Sequence, residues 1–122
     1  MPANPPTNPR RLSPQSLAVL SVLYEARTQW RYGLELSEAT GLKSGSLYPI
    51  LARLTERGLL EGKWQEPEKP GRPARHAYRI TGAGREALRE AQAAGLSPRF
   101  AEERSVFALF LALLPQTTGQ NQ

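Results

Sequence analysis

Apolar residues first recur at helical spacing at Leu17, Leu20, Leu23 and Tyr24, behind Ser13, a good N-cap, and Pro14, which suits the first helical position. This predicts a first helix running to about Ala26. A connector containing Trp30 leads to a second, shorter helix over Tyr32 to Thr40, with Leu36 and Ala39 on one side and Gly41 as a left-handed stop. Leu47, Ile50, Leu51 and Leu54 then fall at i, i+3, i+4 and i+7, the apolar stripe of a third helix facing a core. Pro49 places the regular start of that helix near Ser46, where a missing N–H lies among the unbonded groups of the first turn; a start at Ser44 would imply a local distortion.

After Gly58 the period falls from 3.6 to 2, with Leu60, Gly62 and Trp64 on one side of a strand and Glu61 and Lys63 on the other. His76, Tyr78 and Ile80 alternate with Ala77 and Arg79 in the same way, so two strands flank a loop holding Pro67, Pro70, Gly71 and Pro73. Thr81 caps a fourth helix to about Ala94, which Gly95 stops, and Ser97-Pro98 repeats the cap-then-proline signal to open a fifth, ending before Pro115. The pattern is mainly α with a small β-hairpin: a winged helix-turn-helix plus a C-terminal dimerisation helix. It divides the chain into a flexible N-terminal arm at 1–11, a DNA-binding domain at 12–95, a dimerisation helix at 96–115 and a flexible tail at 116–122. No internal repeat interrupts this order.

Composition narrows the chemistry. The chain has 122 residues, 16 Lys and Arg against 11 Asp and Glu, a net charge of +5, a single histidine and no cysteine. Disulfides, thiolate zinc sites and cysteine nucleophiles are excluded, and His76 alone makes no metal cluster. No cofactor, no metal and no catalytic residue is expected. The N-terminus, with four prolines in its first eleven residues and Arg10 and Arg11 at its end, has no apolar signal-peptide core, which predicts a cytoplasmic protein. The longest apolar run, Val106 to Leu114, is too short to span a membrane.

Opposite its leucine stripe the third helix carries Gly45, Tyr48, Pro49, Ala52 and Arg53, with Ser46 at the margin. Small residues let a backbone approach DNA, hydroxyls suit phosphates, and a basic or aromatic side chain reads base edges. An ordinary solvated helix face would carry the same residues. The loop adds Lys69, Arg72, Arg75 and Arg79 in a stretch without a carboxylate, stiffened by Pro70 and Pro73. Such a tip can follow the duplex backbone or enter the minor groove, although a solubilising loop is the plainer account.

The segment Thr40-Gly-Leu-Lys-Ser-Gly-Ser-Leu-Tyr-Pro-Ile-Leu-Ala-Arg-Leu54 resembles the recognition segment of PadR-family transcriptional regulators. Gly58-Leu-Leu, Trp64, Gly71-Arg-Pro-Ala-Arg-His-Ala-Tyr-Arg-Ile-Thr81 and the Tyr-Gly at 32 and 33 extend the resemblance over about Ser13 to Ala94. It implies a homodimeric winged-helix repressor, with Ser44, Gly45, Ser46, Tyr48, Pro49 and Arg53 at the major groove and Arg72 and Arg75 on the wing. Tyr32, Lys43 and Lys69 complete the candidate DNA-contact set. Lys43 and Gly82 depart from the residues many relatives carry there, and a single helix after the fourth resembles the short members of the family.

That last helix carries Phe100, Val106, Phe107, Leu109, Phe110, Leu111, Leu113 and Leu114, more apolar groups than one side of a helix holds. Burying each is worth about 1.5–3 kcal/mol, so a second subunit is expected to cover them. The dimer interface would use Leu17, Leu20, Tyr24, Phe100, Phe107, Phe110 and Leu114; the alternative is a helix folded wholly onto its own core. The same region would enclose an apolar effector among Leu17, Trp30, Phe100 and Phe107, although aromatic residues at helical spacing are ordinarily core. Two-fold symmetry would set the recognition helices about 34 Å apart on a palindromic operator. A dinucleotide-binding enzyme finds formal support in Gly82-Ala-Gly84-Arg-Glu-Ala87, but too little chain follows for a doubly wound sheet. The remaining alternative is a winged-helix module for protein contacts without specific DNA binding.

Overall fold

Ser13 begins the first helix by accepting a hydrogen bond from the Ser16 backbone N–H at 3.0 Å, and α1 runs from Pro14–Glu25. The computed structural model of the protein describes residues 11–101. The residues from 1 to 10 and from 102 to 122, and with them most of the expected arm, all of the tail and the apolar helix around Phe107, lie outside the described residues. Elements follow in the order α1, β1 (Arg31–Tyr32), α2 (Gly33–Thr40), α3 (Ser44–Glu56), β2 (Leu60–Gln65), β3 (Arg75–Ile80) and α4 (Gly82–Ala93). This is a winged helix-turn-helix: α2 and α3 make the turn motif and the β2–β3 hairpin is the wing.

The turn between α2 and α3 is fixed by three groups. Gly41 sits at φ 79°, the left-handed region a Cβ disfavours. Thr40, fully buried, donates its hydroxyl to the Leu36 carbonyl at 2.7 Å and accepts from the Leu42 N–H at 3.1 Å. Ser37 donates to the Leu42 carbonyl at 2.6 Å. With the backbone polar groups met inside the turn, Leu36, Leu47, Leu51 and Leu54 join Leu17, Leu20 and Leu23 in one core.

Three sequence expectations are corrected. Helix α3 starts at Ser44, two residues before the position Pro49 favours, with Lys43 as N-cap; the Lys43 carbonyl accepts from Ser46 and Leu47 at 2.9 and 2.8 Å. Pro49 therefore lies inside the helix and brings no N–H to the Gly45 carbonyl one turn back. Gly45 is exposed, so water reaches that carbonyl and its cost is small. Tyr32 is not helical but ends β1, which adds a third strand in the order β1-β3-β2, with Arg31 opposite Tyr78 and Tyr32 opposite Ala77. Ser97 and Pro98 do not open a helix. The chain from Leu96 to Ala101 is irregular and lies back across the domain, where the Arg99 N–H bonds the Pro14 carbonyl at 2.9 Å and the Ala101 N–H bonds the Thr40 carbonyl at 2.8 Å.

Helix α4 closes the domain against the base of the wing. Thr81 caps it, accepting from the Gly84 N–H at 3.0 Å, and also donates to the Gly58 carbonyl at 2.7 Å. A Cβ on buried Gly84 would collide with the Leu59 carbonyl and lie 2.7 Å from the Ile80 side chain, so only glycine lets α4 come this close.

Candidate nucleic-acid interface

The buried stripe of α3 fixes what its other side presents. Leu47, Ile50, Leu51 and Leu54 are turned into the core, which leaves Lys43, Ser44, Gly45, Ser46, Tyr48, Pro49, Ala52 and Arg53 exposed on one continuous face. From Lys43 to Arg53 that face holds no carboxylate. Its N-terminal end adds the unbonded amides of the first turn, which favour an anion.

Tyr48 is the one large ring on this face, 44 % exposed, and α2 determines where it lies. A Cβ at Gly33 would collide with the Tyr48 hydroxyl and lie 2.7 Å from its ring carbon Cζ, so the phenol rests against the first residue of α2. Glu35 holds that end of α2 by accepting from the Tyr32 N–H at 3.0 Å. Tyr48 is also near enough to Tyr78 to act on its ionisation: burial first, and Tyr48 second, push the Tyr78 phenol above its ordinary value of 10.0.

The wing has two unlike faces. On one, the register that sets Trp64 opposite His76 and Gly62 opposite Tyr78 builds an aromatic ladder. The Trp64 and His76 rings stack with centroids 4.8 Å apart, and His76 and Tyr78 stack at 4.6 Å. Tyr78 Oη and His76 Nδ1 are 3.2 Å apart. Gly62 makes room for the middle ring, since a Cβ there would lie 3.0 Å from His76 Nε2.

The other face is a cation–π layer. Arg75 stacks on Tyr32 with its guanidinium carbon 3.7 Å from the ring centroid, and Lys63 and Arg79 sit over Trp30 at 4.3 and 4.5 Å. Arg79 is further held by Glu61 across the strands, Nε to carboxylate 2.5 Å. Of the wing cations, Arg75 and Arg79 are thus engaged within the protein, whereas Lys69 and Arg72 are exposed in the loop and form no ion pair with any described carboxylate. A cleft of about 450 Å³ beneath the loop is lined by Tyr32, Lys69, Arg72 and Arg75 together with Glu66 and Glu68. Positive charge is therefore local to the tip and one flank.

The structure brings the α3 residues together, sets Tyr32 beneath Arg75 on the wing, and leaves Lys69 and Arg72 at the loop. Of the expected dimer and effector sets, the described residues hold only part. Leu17 and Leu20 are 1 % and 0 % exposed within the protein's own core, so neither side chain is free to meet a partner; of the α1 residues named for that contact, Tyr24 is exposed. Phe100 is half-buried and is not without a partner, while Phe107, Phe110 and Leu114 lie outside the described residues. Trp30 is taken up by Lys63 and Arg79, and neither it nor Leu17 lines the cleft beneath the loop or a second one, of about 310 Å³, beside Tyr24 and Arg85.

Residue reasoning missed the ladder, although its signal was present. Alternation alone puts Trp64 on one face of its strand and His76 and Tyr78 on one face of theirs; only the hairpin register shows that these faces coincide. No helix among the described residues is long and apolar enough to cross a membrane.

Residues 19–90 match the family model described as the transcriptional regulator PadR-like family. Among solved structures, the chain is similar to a PadR family transcriptional regulator from Eggerthella lenta, with 32% identity, 63% of this chain and 70% of that one covered, and a TM-score of 0.54. It is also similar to a PadR-like transcription factor from Bacteroides fragilis, with 26% identity, coverage of 63% and 78%, and a TM-score of 0.52. A PadR family transcription regulator from Clostridium difficile shares the fold at 22% identity, with coverage of 64% and 84% and a TM-score of 0.52. No curated protein matches the chain.

Proposed function

The chain belongs to the PadR-like family of transcriptional regulators, and from that premise we propose that it binds a palindromic operator as a homodimer and represses by occluding a promoter. It is a regulator and not an enzyme. The observation that carries the reading is the carboxylate-free face of α3, from Lys43 to Arg53, set beside a wing whose Lys69 and Arg72 are exposed and unpaired among the described residues. In this reading Ser44, Gly45, Ser46, Tyr48, Pro49 and Arg53 enter the major groove. Lys43, Lys69 and Arg72 neutralise phosphates, and Arg75, stacked on Tyr32 and opposite Gln65, stiffens the wing where its loop begins.

The dimer half of the proposal rests on exposed Tyr24 and on the apolar residues from Val106 to Leu114, whose burial needs more surface than one helix side offers. Residues 12–95 serve DNA and residues 96–115 serve the partner subunit, in the cytoplasm where an operator is reached. Two-fold symmetry converts one recognition helix into two, about 34 Å apart, and therefore into a palindromic site.

Fluorescence anisotropy on a duplex from the region upstream of the protein's own gene, against a scrambled duplex across a salt series, tests the reading. A preference of about 10³-fold or more, falling steeply with salt, supports a sequence-specific regulator. Weak and equal binding to both duplexes, with charge reversal at Arg72 and Arg75 leaving it unchanged, would replace it with a winged-helix module for protein contacts. Sedimentation of the full chain checks the dimer.

A further inference from the structure

The aromatic ladder is not used by any contact assigned so far, and its outer ring is the most exposed aromatic among the described residues. Trp64 is 66 % exposed, yet it is held: one indole face stacks on His76, which stacks on Tyr78, a core residue only 5 % exposed. Exposed tryptophan is costly to leave in water, and an order imposed by two successive stacks lowers the entropy lost on meeting a partner.

Its placement indicates which partner. The ladder face is continuous with Leu60 and Ile80, whose burial, with α3 packed on β2 and α4 on β3, turns the base of this face toward the helical core. Tyr48, on the exposed side of α3, rests on Gly33, which directly follows β1, and β1 sets Arg31 opposite Tyr78. The outer half of the ladder therefore overlooks the space between α3 and the wing tip. On this face the strands carry no carboxylate: its members are Leu60, Gly62 and Trp64, then His76, Tyr78 and Ile80, with Arg31, which pairs with Glu35 of α2 at 4.0 Å, opposite Tyr78. The sheet's one acidic residue, Glu61, lies on the other face with Arg79. When α3 occupies a major groove and the wing tip the neighbouring minor groove, the strand of sugar and phosphate that separates them passes through this space.

We propose that Trp64 is a DNA-contact residue that grips this strand: its indole N–H, a donor with no acceptor function, bonds a phosphate oxygen while its free ring face and edge pack on deoxyribose. Such a contact is blind to sequence. It adds affinity and sets how closely the wing seats, and leaves base reading to α3. The inference rests on the DNA-binding reading above.

The test uses the full chain carrying Trp30→Phe, so that Trp64 is the only tryptophan, with a labelled duplex reporting binding separately by anisotropy. Acrylamide, which is uncharged, reads the accessibility of the indole. Trp64 should be readily quenched in the free protein and clearly protected when the duplex is saturated. Trp64→Ala should weaken binding about tenfold, the order of one hydrogen bond to a charged acceptor, and equally on upstream and scrambled duplexes. Trp64→Phe, which keeps a stacked ring but no N–H, should fall between, and its melting temperature separates lost contact from lost fold. A duplex that binds while Trp64 stays as accessible as before, or Trp64→Phe and Trp64→Ala variants that bind like the parent, would overturn the contact and leave DNA binding standing. Absence of binding to any duplex at low salt would overturn the DNA-binding reading and the contact with it.

Discussion

Gly33 and Tyr48 share a space that only glycine leaves open: the phenol of the recognition helix rests on the first residue of α2, where a Cβ would collide with its hydroxyl. The helix that leads the turn motif thereby sets the direction of the largest side chain on the helix that follows. The atom in the way is the far end of a side chain, not backbone, so the fold can yield by swinging Tyr48 aside. Gly33→Ala should therefore leave stability within about 1 kcal/mol of the parent. It should weaken specific DNA binding much as Tyr48→Ala does, by about 1–3 kcal/mol where Tyr48 reads a base. Thermal melts and operator titrations of the two variants check this. A Gly33→Ala protein that binds normally would show that Tyr48 does not need its place.

This relationship also shows where the sequence stops being informative. The α3 stripe, the Ser13 and Thr81 caps and the Gly41 stop are local signals, written within one or two turns of chain, and all stand in the fold. A two-residue strand such as β1 has no period to recognise, and it exists because β3 offers Tyr78 and Ala77 as partners. The Ser97-Pro98 signal was overridden by tertiary bonds from Arg99 and Ala101 to Pro14 and Thr40. Leu17 and Leu20 carry the apolar character an interface also wants, and spacing alone does not say whether a leucine faces its own core or a second subunit. At the candidate site the residue types on α3 and the wing were legible, whereas the partition of wing cations into engaged Arg75 and Arg79 and unpaired Lys69 and Arg72 required the register.

That partition separates two kinds of variant. Arg53 lies exposed on the α3 face and Arg72 exposed in the loop. Arg53→Ala is expected to cost about 1–3 kcal/mol on the operator and less on random DNA. Arg72→Ala should weaken binding evenly on both and flatten the slope of log affinity against log salt by about one. Arg75→Ala differs from both, since it also removes the stack on Tyr32 and should lower the melting temperature slightly. Titrations of the three variants on two duplexes across a salt series distinguish them; equal losses for Arg53→Ala on both duplexes would remove its base-reading role.

Gly84 predicts the opposite balance of stability and function from Gly33. A Cβ at position 84 meets the Leu59 carbonyl, which is backbone, as well as Ile80, and nothing there swings aside. Gly84→Ala should destabilise the domain by about 2–3 kcal/mol through overpacking, lowering Tm by roughly 10 °C or more. The protein that remains folded should bind DNA with nearly its normal affinity, because α4 carries no candidate contact. A calorimetric melt, paired with a titration well below the transition, checks both halves.

Tyr78 supplies a pH dependence with a definite sign. Burial, and then the neighbouring Tyr48, hold its phenol above the ordinary tyrosine value of 10.0 in the folded protein. As pH rises past 10.0 the unfolded chain releases this proton first, so over the interval between the unfolded and folded values the native state binds more protons than the unfolded one. Stability from this group is therefore complete below 10.0 and is lost as pH climbs through that interval. Tyr78→Phe removes the titrating group and keeps the ring on which His76 stacks, giving up its 3.2 Å contact with His76 Nδ1. The variant should start slightly less stable at neutral pH and then lose less melting temperature than the parent between about pH 9 and about pH 11. Every other ionisable group is common to the two proteins, so the difference between the two curves isolates Tyr78. Parallel curves would show that the Tyr78 phenol ionises as freely in the folded domain as in the unfolded chain, and that the base of the ladder is open to water.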